Sequence, residues 1–275
     1  MEIQQSSYYA DFIRSLDWIV EKIDESYVFI KPFPVIGALA KIQRVTRLPR
    51  KSALLPILKK YRVRTLAIEP DSRVHQRDFS RWCRNIAPYV RLNRDPFIPT
   101  KTIRVDLASL ENEIFCQFTE AKRRAVRRAQ KNHVTIQQSD DVQTFFRLKH
   151  RSAGFLGFIT TQGIDRLWDV LPEENKLVLL AYASTSPTPI AGIFLIFWKR
   201  VAYYWIAAAT REGKRLFAPT LLVWEALKVS KKRGCASLDF LGVWDERNPH
   251  DHHEWKGFTK FKEGFGGKPL YYPLL

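Results

Sequence analysis

Lysine and phenylalanine are interleaved near the end of the chain, in a segment rich in glycine. Residues 255–267 read Trp-Lys-Gly-Phe-Thr-Lys-Phe-Lys-Glu-Gly-Phe-Gly-Gly, with three lysines, three phenylalanines and four glycines. Glycine lets another backbone or a ligand come close, and ammonium groups beside aromatic faces suit phosphate- and ribose-bearing ligands. Taken alone, the composition also fits a turn followed by an edge strand with solvated lysines, so the residues upstream must decide.

A short apolar run precedes this segment and ends on glycine. Residues 238–243 read Leu-Asp-Phe-Leu-Gly-Val, and a polar loop then leads to Gly-Phe-x-x-Phe-Lys-x-Gly-Phe-Gly-Gly at 257–267. This order resembles the closing signature of the FemABX family, aminoacyltransferases that use aminoacyl-tRNA to extend the stem peptide of peptidoglycan precursors. The family pattern is D-F-x-G-[IV], a variable loop, and G-[IVF]-x-x-F-K-x-G-F-G-G. Every consensus position of the second block is filled here.

The resemblance implies roles for four residues of the closing segment. Lys262 fills the lysine position and is expected to be catalytic, stabilising charge at the transferring ester or phosphate. Phe261 is expected to shape the substrate pocket, and Gly266 and Gly267 to allow close approach of the backbone to substrate. The alternative for Lys262 is a surface lysine on an edge strand.

Asp239 lies at the end of the preceding apolar run. As an active-site carboxylate it would accept the proton of an attacking amine, and we place it among the candidate catalytic residues. A structural pairing with a lysine or arginine explains the same residue equally well. Arg44 stands near the position of an R-G-P or R-P turn in the family, which makes it a candidate substrate-binding residue.

A second cluster of cations falls in a predicted helix. Residues 122–131 hold six lysines and arginines in ten positions, and they are similar to the family's K-x-R-Y-N-[IV]-R-x-A-x-K-x-G-V helix. Arg123 and Arg127 fill its arginine positions. Being four residues apart they share a helix face, where two guanidinium groups would bind phosphate oxygens. A solvated basic face is the alternative.

The chemistry implied is attack of a neutral amine on an activated acyl carbonyl, for which the enzyme supplies proximity and a donor to the oxyanion. No G-x-S-x-G occurs, and no protein nucleophile is required. An acyl-CoA-dependent N-acyltransferase is the alternative, but its [QR]-x-x-G-x-[GA] loop keeps only Gly213. A non-catalytic RNA- or membrane-binding module is the third reading. Residues 250–254, His-Asp-His-His-Glu, are adjacent loop residues that rarely all face one ion, so we predict no metal.

Composition indicates the partners. The 275 residues carry a net charge of +17, which favours RNA, an anionic membrane surface or another polyanion. Mean hydropathy is −0.26, no apolar run has the length of a membrane span, and the three cysteines show no paired spacing, so a cytoplasmic protein is predicted. The resemblance adds aminoacyl-tRNA as co-substrate, no cofactor, a lipid- or nucleotide-linked peptidoglycan precursor as acceptor, peripheral contact with the inner membrane face, and a monomer.

The elements that must position these residues fit an α/β (α+β) chain. From the resemblance we expect two GNAT-like acyltransferase units, residues 1–100 and 101–275, with mixed, mostly antiparallel sheets flanked by helices and no coiled-coil arm. The last strand, 268–275, is expected to return to the first unit. We predict a helix starting at Ser109 and running through the cations at 122–131, a basic loop at 210–219, and a helix at 52–61 with Pro56 in its first turn. The segment 206–210 lacks the tyrosine usual in the family, which leaves open an acceptor other than the classical nucleotide-linked precursor.

Overall fold

The structure is a computed structural model that describes residues 2–161, 163–184, 186–249 and 253–275, the side chains of 153–161 excepted. The backbone divides into two compact units, Met1–Lys101 with Leu270–Leu275, and Thr102–Pro269. The predicted boundary lies between residues 100 and 101, and the predicted returning strand begins at 268. In the described part of the chain, no helix is long and apolar enough to cross a membrane.

The first unit is a five-stranded sheet with three helices. Ser6 caps its first helix by accepting the N–H of Tyr9 at 3.1 Å, as a serine N-cap should. The sheet order is β1-β2-β3-β4-β5, with the first three strands antiparallel and the last two added in parallel. The elements are α1 (Ser7–Ser15), β1 (Ile19–Ile23), β2 (Ser26–Phe33), β3 (Gly37–Gln43), α2 (Lys51–Lys60), β4 (Val63–Glu69), α3 (Gln76–Ile86) and β5 (Arg91–Leu92).

The second unit is built on a seven-stranded sheet in the order β12-β6-β11-β10-β9-β8-β7. The pairs are antiparallel from β7 to β10 and between β11 and β6, while β10 and β11 are parallel. The elements are β6 (Lys101–Asp106), α4 (Glu111–Cys116), α5 (Glu120–Lys131), β7 (Thr135–Ser139), α6 (Val142–Thr161), α7 (Ile164–Val170), β8 (Lys176–Tyr182), β9 (Ala191–Trp198), β10 (Val201–Ala209), α8 (Arg211–Arg215), α9 (Ala218–Lys232), β11 (Ser237–Gly242), α10 (Lys256–Glu263) and β12 (Lys268–Tyr271).

The central strands of this sheet are covered on both faces. β8 and β9 are almost wholly buried along their length, which explains their continuous apolar sequences. α9 packs on β8 to β11, and α6 packs on β8 to β10. At Gly192 of β9 an added Cβ would lie 3.1 Å from side-chain atoms of Phe145 and Leu148 of α6, so the glycine lets this helix lie close to the sheet.

β10 and β11 pair over only three residues. Their parallel ladder runs from Val201 and Ser237 to Tyr203 and Asp239, and β10 has an irregularity after Tyr204. Both strands continue beyond the last pair, without pairing to each other. Because a β-bulge bends its strand and increases the local twist, the sheet opens at this point.

The predicted fold class is confirmed, with two sheets flanked by helices, but the predicted helix at 109–131 is wrong in two respects. It begins after Leu110, and the Leu110 N–H bonds the Glu113 carboxylate at 2.9 Å; Ser109 is not the cap. It is also interrupted before Thr119, whose N–H donates to Gly264 O at 2.9 Å. A hydrogen bond to a residue far along the chain thus ends one helix and starts the next.

Other boundaries also differ from those predicted. The segment 211–215 is a short helix, because Thr210 Oγ1 caps it by accepting the Gly213 N–H at 3.0 Å. Pro56 is the sixth residue of α2, beyond its first turn. Residues 256–263 form a helix, so the alternative of an edge strand for the lysine segment is wrong.

Candidate active site

The lysine- and phenylalanine-rich segment forms α10, and its periodicity separates two kinds of lysine. Thr259 and Lys262, three residues apart, lie on the buried face, whereas Lys260 is exposed. Thr259 Oγ1 accepts the N–H of Trp244 at 2.8 Å, which ties the helix to the loop after β11. Phe265, just after the helix, is fully buried against Phe118, Phe240 and Phe261. α10 is therefore anchored in the core, and Lys262 is fixed with it.

The ammonium of Lys262 is held by two carbonyl groups of β11. Nζ donates to Phe240 O at 2.8 Å and to Gly242 O at 2.7 Å, and the side chain is only 9% exposed. Both acceptors follow Asp239, the last residue of β11 that pairs with β10. Burial lowers the pKa of Lys262 to about 8, opposed by the negative charge of Asp239. Lys262 thus stabilises the β11 edge of the opening in the sheet.

Lys149 of α6 makes the corresponding contact with β10. Its Nζ donates to Ala207 O of β10 at 3.0 Å, again beyond the last pair with β11, and burial lowers its pKa. Ammonium groups thus satisfy carbonyls of both strands where their ladder has ended, which removes the penalty of unpaired buried carbonyls.

A cavity of about 660 Å³ lies in the second unit, between the end of β10, the first residues of α9 and the side of α10. Its lining includes three lysines, Lys122, Lys149 and Lys214, together with Tyr204, Phe217 and Phe261, and among the described residues it includes no aspartate or glutamate. A cavity of this size accommodates a small-molecule group. Its charge favours an anionic ligand with an apolar part.

Lys122 differs from Lys149 and Lys262 in having no hydrogen bond or ion pair to any described residue. Its Nζ lies 3.7 Å from the ring centroid of Phe261 and 5.0 Å from that of Phe265. Burial lowers its pKa to about 8. At Gly264 an added Cβ would lie 2.6 Å from Lys122 Cε, so this glycine makes room for the lysine. Lys122 is the ammonium of the cavity lining that is both partly buried and available to a ligand.

Two largely buried side chains that carry hydroxyl groups line the cavity as well. Tyr204 is 9% and Thr220 is 5% exposed, and within the described part of the chain neither hydroxyl has a hydrogen-bond partner. Burial raises the pKa of Tyr204, so its hydroxyl is a donor at any working pH. Thr220 is the third residue of α9, whose cap, Phe217, has a φ of +60°. Donors in a cavity of low polarity are suited to stabilising a developing oxyanion.

Asp239 is fully buried and its oxygens are already occupied. Oδ1 accepts from Thr102 Oγ1 at 2.5 Å and from the Leu241 N–H at 2.7 Å, and Oδ2 accepts from Arg104 Nε at 2.7 Å. Of the two roles that the sequence leaves open, this geometry favours the structural one. The carboxylate joins β6 to β11 and fixes the turn at Leu241, which has a φ of +55°.

Gly266 and Gly267 allow a close approach to the chain, but the groups that approach belong to the protein and not to a substrate. Both have positive φ, +75° and +93°. A Cβ at Gly267 would lie 2.6 Å from Arg104 O, and one at Gly266 would lie 3.0 Å from Gln117 Cβ. The two glycines pack the chain after α10 against β6 and the end of α4. Phe261, by contrast, does line the cavity.

The three arginines predicted to bind substrate lie outside the lining of the cavity. Arg123 Nη1 donates to Cys116 O at 3.0 Å and also to Phe118 O, which closes the end of α4. Arg127 is exposed, with its guanidinium 5.9 Å from the Phe115 ring centroid. Arg44, in the first unit, donates to Pro99 O at 2.5 Å and stacks 3.3 Å from the Tyr272 ring.

Sequence reasoning missed Lys122, Lys149, Tyr204 and Thr220. A signal exists for Lys122, because it lies three and four residues before Ala125 and Val126, on the buried side of α5. A lysine on the apolar face of an otherwise basic helix is the member of the run to examine first. Among the described residues no group of three or more histidine, cysteine or acidic side chains could hold a metal. His250, Asp251 and His252 of the histidine-rich loop lie outside the described residues.

A protein-family model matches much of the second unit. Residues 117–257 match the family model described as an acetyltransferase (GNAT) domain, a match that covers 51% of the chain (141 of 275 residues). A search of the curated proteins finds no match.

Solved structures share the fold at low sequence identity. The crystal structure of FemX has a TM-score of 0.77 and 17% identity, over 98% of this chain and 90% of that one. The C-terminal domain of a putative lysylphosphatidylglycerol synthetase from Agrobacterium fabrum has a TM-score of 0.63 and 14% identity, over 98% and 87%. A tandem GNAT protein from the clavulanic acid biosynthesis pathway has a TM-score of 0.53 and 9% identity, over 90% and 77%. The expected FemABX-like, GNAT-type fold is confirmed.

Proposed function

The chain belongs to the acetyltransferase (GNAT) domain family and is an acyltransferase; from this premise we propose that it transfers an amino acid from aminoacyl-tRNA to an amine of a peptidoglycan precursor stem peptide. The fold likeness to FemX supports the proposal, as does the closing signature in the sequence. The observation that carries it is the cavity of about 660 Å³ with three lysines in its lining.

The cavity suits the donor of such a reaction. The terminal nucleotide of an aminoacyl-tRNA presents phosphate, ribose and an aminoacyl ester that is partly apolar. Lys122 and Lys214 provide cations for the phosphate, and Phe217 and Phe261 provide aromatic faces, which is the combination that binds single-stranded nucleic acid without reading its sequence. The net charge of +17 supports attraction of a long polyanion to the same protein.

The region that would hold coenzyme A argues against an acyl-CoA donor. A diphosphate loop needs backbone N–H groups free to face the phosphates. Here the Gly213 N–H donates to Thr210 Oγ1, and the Lys214 N–H donates to Thr210 O. A Cβ at Gly213 would lie only 2.2 Å from Ile190 O, so packing against β9 explains the glycine. Two of the N–H groups of this short helix are thus already used within the protein.

The transfer itself needs no covalent intermediate with the protein. The neutral amine of the stem peptide attacks the ester carbonyl, a C–N bond forms, the C–O bond to the terminal ribose breaks, and the leaving ribose oxygen takes up the proton that the amine loses. Tyr204 and Thr220 are placed to donate to the carbonyl oxygen as it becomes negative. Lys122 holds the phosphate or ribose side of the donor. Lys262 maintains the opening in the sheet.

The test is a transfer assay with purified protein. Charged tRNA carrying labelled amino acids is incubated with lipid-linked or nucleotide-linked precursor, and the label in the stem peptide is measured by mass spectrometry. We expect transfer with at least one amino acid, reduced by Lys122→Met and unaffected by Lys131→Met, an exposed lysine at the other end of α5. Calorimetry with coenzyme A is the counter-experiment. Tight coenzyme A binding with no transfer from any charged tRNA would replace the proposal with an acyl-CoA-dependent N-acyltransferase.

A further inference from the structure

The turn between β2 and β3 in the first unit exposes three large apolar side chains in succession. We name residues 33–36, Phe-Pro-Val-Ile, the hairpin tip. Val35 is fully exposed, Ile36 is 69% exposed and Phe33 is 42% exposed. Single exposed apolar residues are common and need no explanation, but an apolar cluster at a protruding turn marks a contact surface.

The backbone holds this tip in a strained conformation. The Ile36 N–H donates to Pro34 O at 2.8 Å, and Val35 between them has a φ of +70°. Such a γ-turn is rare, and a β-branched residue is among the least suited to positive φ. Prolines at 32 and 34 restrict the flanking backbone. Strain that the surrounding structure maintains points to a function for the tip.

The charges beside the tip are positive. Arg62 O accepts the Ala38 N–H at 3.1 Å, and the Arg64 side chain packs against Gly37, where a Cβ would lie 2.7 Å from Arg64 Cγ. Both arginines are exposed and, within the described part of the chain, neither has an ion-pair partner. The acidic turn at Asp24 and Glu25 lies at the other end of β2, roughly 23 Å away at about 3.3 Å per residue.

We propose that the hairpin tip inserts into the headgroup region of an anionic lipid surface, with Arg62 and Arg64 on the lipid phosphates. A short apolar projection flanked by cations fits a lipid boundary, which accepts apolar groups to a depth of about 5–10 Å. Exposed cations near such a surface add to the attraction. A net charge of +17 favours the same partner. The inference does not depend on the acyl-transfer proposal, because the tip contributes no residue to the cavity.

Vesicle flotation tests the proposal directly. Full-length protein is mixed with phosphatidylcholine vesicles that contain or lack phosphatidylglycerol. We expect binding to the anionic vesicles, weakened about tenfold by Val35→Ser with Ile36→Ser and also weakened by Arg62→Gln with Arg64→Gln. The matched control is Glu25→Ser in the opposite turn, which should bind at least as well as the wild type. Wild-type binding by the serine variant would overturn the proposal.

A fluorescent label tests whether the hairpin tip or the turn at the other end of β2 enters the lipid. Cys83 and Cys235 are buried and Cys116 is exposed, so a Cys116→Ser background allows labelling of Ile36→Cys, or of Glu25→Cys as the control. An environment-sensitive dye at 36 should shift to the blue on anionic vesicles, while the dye at 25 should not. If the protein floats while the dye at 36 still reports water, the tip is not the insertion site, and a protein partner becomes the better reading. Transfer to a water-soluble acceptor should be equal in the serine variant and the wild type, which separates this test from that of the enzyme activity.

Discussion

Lys122 and Lys262 have similarly lowered pKa values but different surroundings. Burial lowers the pKa of both Lys122 and Lys262 to about 8. Lys262 Nζ donates to two carbonyls of β11, whereas Lys122 Nζ has no polar partner among the described residues and lies near the aromatic rings of Phe261 and Phe265. Lys262, the lysine of the sequence motif, is thus occupied by hydrogen bonds that hold the fold together. Lys122, which lies outside that motif, is available to a ligand. A lowered pKa reports burial, while the hydrogen-bond partners indicate the role.

The largest expected effect is on stability, at Lys262. Lys262→Met keeps the length of the side chain but leaves Phe240 O and Gly242 O without a donor in a buried place. Leaving a buried polar group unsatisfied costs about 1–3 kcal/mol, so we expect the free energy of unfolding to fall by about 3 kcal/mol in urea titrations. Lys260→Met, on the exposed face of the same helix, should change it by less than about 0.5 kcal/mol. Equal stability of the two variants would contradict the structural role of Lys262.

Gly267→Ala is expected to have the next largest effect. Its φ of +93° and the 2.6 Å distance to Arg104 O leave no place for a methyl group, and the strain should lower the free energy of unfolding by about 2 kcal/mol. Gly257 lies at the start of α10 with no atom within 4 Å of an added Cβ. Gly257→Ala should therefore be neutral or raise stability by up to about 0.5 kcal/mol. A urea titration of both variants measures the difference, and a Gly267→Ala variant as stable as Gly257→Ala would contradict the close packing of this segment against Arg104 O.

Lys122→Met should weaken binding of the aminoacyl-tRNA donor without lowering the stability of the fold. Removing one charged contact to a phosphate weakens binding by about tenfold, so we expect KM for aminoacyl-tRNA to rise about tenfold. The free energy of unfolding should not fall, because a partly buried charge without a polar partner is removed. Lys131→Met should leave KM unchanged. A loss of stability as large as that of Lys262→Met would show that the two lysines do not differ as proposed.

The sequence predicts the fold of this chain better than it predicts the site. Continuous apolar strands such as 190–198 and a spaced glycine–lysine motif identify the sheet and the family. They say nothing about where an ammonium points, because that depends on residues distant in sequence. Lys262 is bonded to carbonyls twenty and twenty-two residues earlier, and the break before α5 depends on Gly264 O. Arg123, predicted on a phosphate-binding face, instead bonds carbonyls at the end of α4. Local spacing identifies a shared helix face, and tertiary contacts decide what that face meets.

The smallest expected effect, and the most direct on Lys122, is the pH dependence of donor binding. Its pKa of about 8 in the folded protein lies below the ordinary lysine value of 10.5, so Lys122 is mostly protonated at pH 7 and mostly neutral at pH 9. The protonated form should bind an anionic donor about tenfold more tightly than the neutral form, as in the comparison with Lys122→Met, and affinity should therefore fall as pH rises through about 8, by about fivefold between pH 7 and pH 9. Calorimetry with a non-hydrolysable aminoacyl-amide analogue measures this without ester hydrolysis. Lys122→Arg keeps its charge throughout this range, so its affinity should remain flat with pH. A wild-type profile that is flat over the same range, or a Lys122→Arg profile that falls in parallel with it, would assign the phosphate contact to another cation of the cavity.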